Sequence, residues 1–160
     1  MWSAAAVLRC ALSMLGRGAS TLPPIVFLEV PPPHASPNVE AFVGESDDTI
    51  YLITSAPAFQ AARRSHHVCG DPPALKKLAS IIVHEEWHVR HGSDERGAYD
   101  AQLMALRAPL RVDPDSSLFL SVRRSRDVAV KAQERAGSPV AVLASTQAPA
   151  LAPVEGIGGR

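Results

Sequence analysis

His84 and His88 lie four residues apart in the run Ile81-Ile82-Val83-His84-Glu85-Glu86-Trp87-His88. On an α-helix, positions i and i+4 share a face, so two imidazoles can reach one metal ion from the same side. Glu85, one residue after the first histidine, can act on a water at that metal without taking a coordination position. A helix face merely exposed to solvent would not ordinarily be preceded by Ile81-Ile82-Val83 and interrupted by Trp87. The pattern predicts a metal site within the protein body.

Two histidines do not complete such a site. Glu95 is the first choice for a third ligand: if the helix stops at Gly92 and the chain turns back, Glu95 falls in the first turn of the next helix. Asp94 is the competitor, six residues after His88. That spacing resembles that of metzincin-like enzymes, whose third ligand there relies on a glycine three residues after the second histidine. That position is His91 here, and a side chain is penalised in left-handed conformations that glycine tolerates. Asp100 ranks third. A His, His, Glu set leaves one tetrahedral position open, as catalytic zinc requires. His91 suits the helix C-terminus, where a cation complements the dipole.

The elements that must position these residues can be read around them. Asp71 as cap and Pro72 at the first helical position start the central helix, and Gly92 stops it. Leu75, Leu78, Ala79, Ile82 and Trp87 give it apolar surface on more than one side, so it should lie deep in the core. Ser93 or Asp94 caps a following helix to about Leu106. Helices are also expected over residues 2–15, over 55–64 with Ser55 as cap, and from Asp113-Pro114 onward. Residues 25–30, 41–43 and 49–54 read as strands, with a turn at 44–48. The fold class expected is α+β: a short mixed sheet of two to four strands on the metal-bearing helix, with two or three further helices. Residues 1–136 form one domain on this reading, and the Ala/Pro/Gly-rich stretch 137–160 is expected to be disordered.

Composition narrows the function classes. With 16 basic and 16 acidic side chains, the formal net charge is zero, which favours neither nucleic acid nor a membrane surface as partner. No apolar run reaches the ~18–20 residues that span a bilayer. The N-terminal apolar stretch lacks a basic start and is interrupted by Arg9, a poor match to a secretion signal, although Gly18-Ala19-Ser20 can be read as a cleavage region. A cytoplasmic protein is expected. Cys10 and Cys69 are far apart and lack CxxC spacing, so they are read as two packing cysteines.

Glu95-Arg96-Gly97-Ala98-Tyr99, following His84-Glu85-x-x-His88, resembles the ExxA segment that follows HExxH in small gluzincin metallopeptidases. The resemblance covers roughly residues 49–108. It implies a zincin-like domain in which Glu95 is the third ligand to one zinc ion and Ala98 lets the second helix pack closely. It also implies that an edge strand beside the metal-bearing helix, taken as 49–54, holds extended substrate. Many members carry Asp or Asn four residues after the third ligand; Tyr99 stands there, so Tyr99 or Asp100 would take the supporting or oxyanion-stabilising role. The activity implied is hydrolysis of a peptide or protein substrate with Glu85 as general base. The alternative is a catalytically inactive zinc-binding or interaction module.

Overall fold

A computed structural model of the 160-residue chain describes residues 1–44 and 48–137. The fold is α+β. Its helices are α1 (Ala4–Met14), α2 (Pro57–Arg64), α3 (Pro72–His91), α4 (Glu95–Arg107) and α5 (Ser117–Gly137); its strands are β1 (Ile25–Leu28), β2 (Ala41–Val43) and β3 (Ile50–Ile53). Four helices therefore accompany α3 among the described residues, where two or three were expected. The turn expected at 44–48 falls partly, and the tail expected at 137–160 almost wholly, outside the described residues.

Local chemistry accounts for most boundaries. The Asp71 carboxylate accepts from the Ala74 N–H, and Gly92 ends α3 at φ 69°. Asp94 caps α4 through the Gly97 N–H. Two starts differ from expectation. Ala56, not Ser55, precedes α2, and no side chain caps it. Asp113-Pro114 forms a turn, in which Asp113 accepts from the Asp115 N–H, and α5 begins only after the Ser116 hydroxyl accepts from Phe119 N–H at 3.3 Å.

The sheet order is β1-β3-β2, with β1 parallel and β2 antiparallel to β3. This corrects the strand assignment: the 49–54 segment is the central strand, and the edge strand beside α3 is β2. Ile50, Leu52 and Ile53 are fully buried, as a central strand paired on both sides requires. The core runs from the sheet to α3, where Leu75, Leu78, Ala79 and Ile82 meet α1 and α2. The N-terminal apolar stretch is a core helix, with Ala11 and Leu12 fully enclosed.

Two long-range tethers fix α1. Arg17 just beyond it binds buried Glu86 of α3 through both guanidinium nitrogens, at 2.5 and 2.7 Å, and Arg90 reaches the same carboxylate at 2.6 Å. Cys10 and Cys69 form a disulfide, correcting the reading of two packing cysteines. Spacing rules for short cysteine motifs say nothing about a pair 59 residues apart that folding brings together. Closing a loop of that length constrains the unfolded chain by about 4 kcal/mol on the loop-entropy account. The Cys10→Ala/Cys69→Ala double variant should lose stability of that order in urea denaturation followed by circular dichroism, with α1 the first element to lose amide-exchange protection.

Candidate metal centre

α3 is buried on most of its surface, yet it carries His84, Glu85 and Glu86 in succession, all buried. Residues adjacent in a helix point about 100° apart. Glu86 accordingly faces Arg17 and Arg90, whereas His84 and Glu85 line cavities on the side of β2 and α4.

α4 returns from the Gly92 turn and places Glu95 opposite the two histidines. His84 Nε2 lies 3.1 Å from His88 Nε2 and 3.5 Å from Glu95 Oε2, and His88 Nε2 lies 3.4 Å from Glu95 Oε1. One donor atom from each residue can be chosen so that all lie within 4.8 Å of one another. Donors bonded at ~2.1 Å in a tetrahedron stand about 3.4 Å apart, close to each of these distances, with the two imidazoles approaching different oxygens of Glu95, so the cluster could hold one metal ion. Two imidazoles and a carboxylate suit a divalent transition metal. A cavity of about 870 Å³ is lined by His84, His88 and Glu95 and by Glu85.

The sequence-predicted residues separate cleanly. The structure brings together His84, His88 and Glu95, with Glu85 beside them. Asp94 does not join: its carboxylate is occupied as the α4 cap, and hydrogen bonding to Gly97 holds its pKa low. Asp100 faces α5, where it binds Arg126 at 2.6 Å, so no supporting role at the cluster falls to it. Tyr99 is present: its ring packs edge-on against His84 with centroids 4.5 Å apart. His91 stacks on Trp87 outside the cluster.

Sequence reasoning missed what orients His88. Its Nδ1 lies 2.7 Å from the Gly92 carbonyl oxygen. Donation there puts the proton on Nδ1 and leaves the Nε2 lone pair for a metal, the usual arrangement of a ligating histidine. The signal was available: a glycine four residues after the second histidine ends the helix and frees its carbonyl to turn inward. His84 differs, since its buried Nδ1 has no hydrogen-bond partner among the described residues.

Electrostatics at the cluster follow from burial and proximity. The Glu95 hydrogen bond holds His88 up to about 9 against the opposing effect of burial. Glu95 itself is pushed far below the usual carboxylate range by hydrogen bonds from His84 and His88. Burial raises Glu85, with His84 and His88 pulling the other way, so its carboxyl moves toward the pH at which a general base works best. Tyr99 is also raised, by burial and by Glu95, and remains a protonated donor at neutral pH.

Two outcomes are expected. Metal binding must displace the proton from His88 while Glu95 is already ionised. Affinity should therefore rise about tenfold per pH unit up to about 9 and level off above it; calorimetry in buffers of different ionisation enthalpy would show the released proton. Gly92 sits at φ 69° and ψ −147°, a conformation that penalises any Cβ, although open space surrounds it. Gly92→Ala should thus turn the carbonyl away from His88 and weaken metal binding roughly 10- to 100-fold, the range for loss of a supporting contact, with little change in helix content. Comparisons of the chain with protein-family models, characterised proteins and solved structures return no match, so the site is read from its own geometry.

Proposed function

We propose that the chain is a zinc-dependent metallopeptidase on a small zincin-like scaffold, with His84, His88 and Glu95 as the ligands of one zinc ion and Glu85 as the general base. The observation carrying this reading is the convergence of two imidazoles and a carboxylate, one ligand atom of each within 4.8 Å of the others, beside the buried Glu85 carboxyl at a cavity bordered by a sheet edge. When bound, zinc supplies Lewis acidity that polarises a carbonyl and makes a water nucleophilic near neutral pH.

The remaining work falls to side chains and backbone. β3 takes its bonds from alternate residues of β2 and its flanks: Gly44 N–H donates to the Thr49 carbonyl at 3.1 Å, and Ile53 N–H donates to the Glu40 carbonyl at 2.9 Å. In an antiparallel ladder the intervening residues, Ala41 and Val43, turn their main-chain groups the other way. These groups border the large cavity and suit an extended peptide added as a further strand. Glu85 takes the proton released by the attacking water and passes it to the departing amine, a role that its raised pKa favours. The Tyr99 phenol is available to donate to the developing oxyanion. No described helix is long and apolar enough to cross a membrane. The Cys10–Cys69 disulfide favours an oxidising compartment over the cytoplasm as the workplace of this chemistry.

Glu85→Gln should retain one equivalent of zinc by elemental analysis and lose peptide hydrolysis by ~10²–10⁴-fold, the usual worth of a positioned base. His84→Ala should lose both. Hydrolysis persisting in Glu85→Gln would sink the mechanism, and stoichiometric zinc with no hydrolysis in the unaltered protein would place the chain among binding modules.

A further inference from the structure

Three cavities meet at Tyr99: the large groove, a smaller polar one of about 330 Å³ between β2, α3 and α5, and a third of about 510 Å³ between α4 and α5. The third also shares Glu95 with the large groove, so it continues from the metal centre toward α5. Across from Glu95 and Tyr99, α5 presents Ser121, Ser125 and Ala129 at four-residue steps, one face of the helix. These side chains are small, and the space they leave unfilled is the cavity.

Arg124, on the same wall, differs from the other basic residues nearby. Arg126 is bound to Asp100 and Asp127, and Arg96 reaches Asp100 at 4.0 Å. Arg124 has no ion pair among the described residues, so its guanidinium is available at the cavity wall. Ser125 is hydrogen-bonded to Tyr99, which leaves the Ser121 hydroxyl as a second donor. The carboxylate in the lining, Glu95, has its two oxygens turned to His84 and His88.

Resting on the peptidase reading, we infer that this cavity is a subsite for a substrate carboxylate, received by Arg124 with Ser121 beside it. The head groups can be compared with every lining charge counted. A carboxylate meets an unengaged guanidinium and forms charge-assisted bonds, which are the strong kind. Glu95 opposes it, but that charge is offset by the adjoining imidazoles and, in the loaded protein, by the zinc ion. Glu85 lines the other two cavities. An ammonium or guanidinium head meets Arg124 as a like charge, and the Glu95 oxygens that would receive it are already engaged. A carboxamide is not repelled but brings no charge to the bond. An aliphatic head gains Val128 and Ala129 while stripping water from the guanidinium. Arg124 is exposed, so the discrimination expected is about fivefold, the upper end for an exposed pair.

The carboxylate comes from an Asp or Glu side chain or from a chain terminus, and the experiment has an arm for each. Acetylated penta-alanine amides carrying one Glu, or one Gln, at each position in turn are titrated into zinc-treated Glu85→Gln protein. Acetylated penta-alanine as free acid and as amide forms the second arm, and the Arg124 Nε–H resonance is followed by NMR throughout. In at least one register, or for the free acid, the carboxylate form should bind about fivefold more tightly than its neutral match and shift that resonance. Arg124→Gln should abolish the preference, and Arg124→Glu should pass it to a Lys peptide of the same register. Arg123→Gln, one residue away and outside the lining, should keep it. A preference confined to the Glu peptides assigns the subsite to an acidic side chain; one confined to the free acid assigns it to a terminal carboxylate. Absence of binding, ratios below about twofold throughout, a preference that survives Arg124→Gln, or one lost equally in Arg123→Gln would each overturn the assignment. Ranked binding without zinc-dependent cleavage of the preferred peptide by the unaltered protein would refute the peptidase reading and leave the subsite standing. Cleavage indifferent to the carboxylate would refute the subsite alone.

Discussion

The molecule is governed by the cost of placing ionisable groups on a buried helix. His84, Glu85 and Glu86 lie at 9%, 7% and 5% exposure, and taking charge out of water is tolerated only where a partner returns the lost solvation. Each of the three meets that condition differently. Glu86 has two guanidinium groups and becomes structure, joining the end of α1 to α3. His84 meets Glu95 and His88 at a point where three donors converge. Glu85 has no guanidinium or ammonium bound to it among the described residues, and burial raises its pKa against the pull of the neighbouring imidazoles. Helical rotation is what separates these fates, because adjacent carboxylates on α3 point about 100° apart and so meet different neighbours.

The second condition is close approach of α4. Ala98 is fully enclosed, and Gly97 lies against the Trp87 ring so closely that a Cβ there would meet ring carbons at 2.6 Å. The half-exposed Glu95 owes its position to this contact and to the cap at Asp94, because its own side chain is too open to be held by burial. Asp94 thus serves the cluster as the capping residue of the helix that carries Glu95. The buried Ser80–Gln102 bond ties the same two helices further along and aligns the polar lining of the smaller cavity with the cluster.

What was legible in the sequence was local. Periodicity placed α3; a cap and proline marked its start and a glycine its end, and spacing alone singled out His84, Glu85, His88 and Glu95. The α+β class followed from the same short-range patterns. What was not legible depends on residues distant in the chain. The pairing of Cys10 with Cys69, of Arg17 with Glu86 and of Asp100 with Arg126 spans 59, 69 and 26 residues, respectively, and no local pattern encodes such partners. Strand order failed for a related reason: β3 becomes central because β1, some 25 residues earlier, pairs with it in parallel, and no local pattern encodes that pairing. The Asp113-Pro114 signal was read as a helix start, whereas it forms a turn that uses the same residues.

These features explain how the three side chains come together. Three constraints set the donor positions, and each belongs to the protein alone: the i, i+4 spacing on a rigid helix, the Gly92 carbonyl that turns His88, and the helix-to-helix contact at Gly97 that delivers Glu95. None requires a deep cleft or a second lobe. The sheet contributes its edge instead, and α5 closes the side opposite β2, so the space beside Glu85 is divided into an open groove along the strand and a narrower polar cavity.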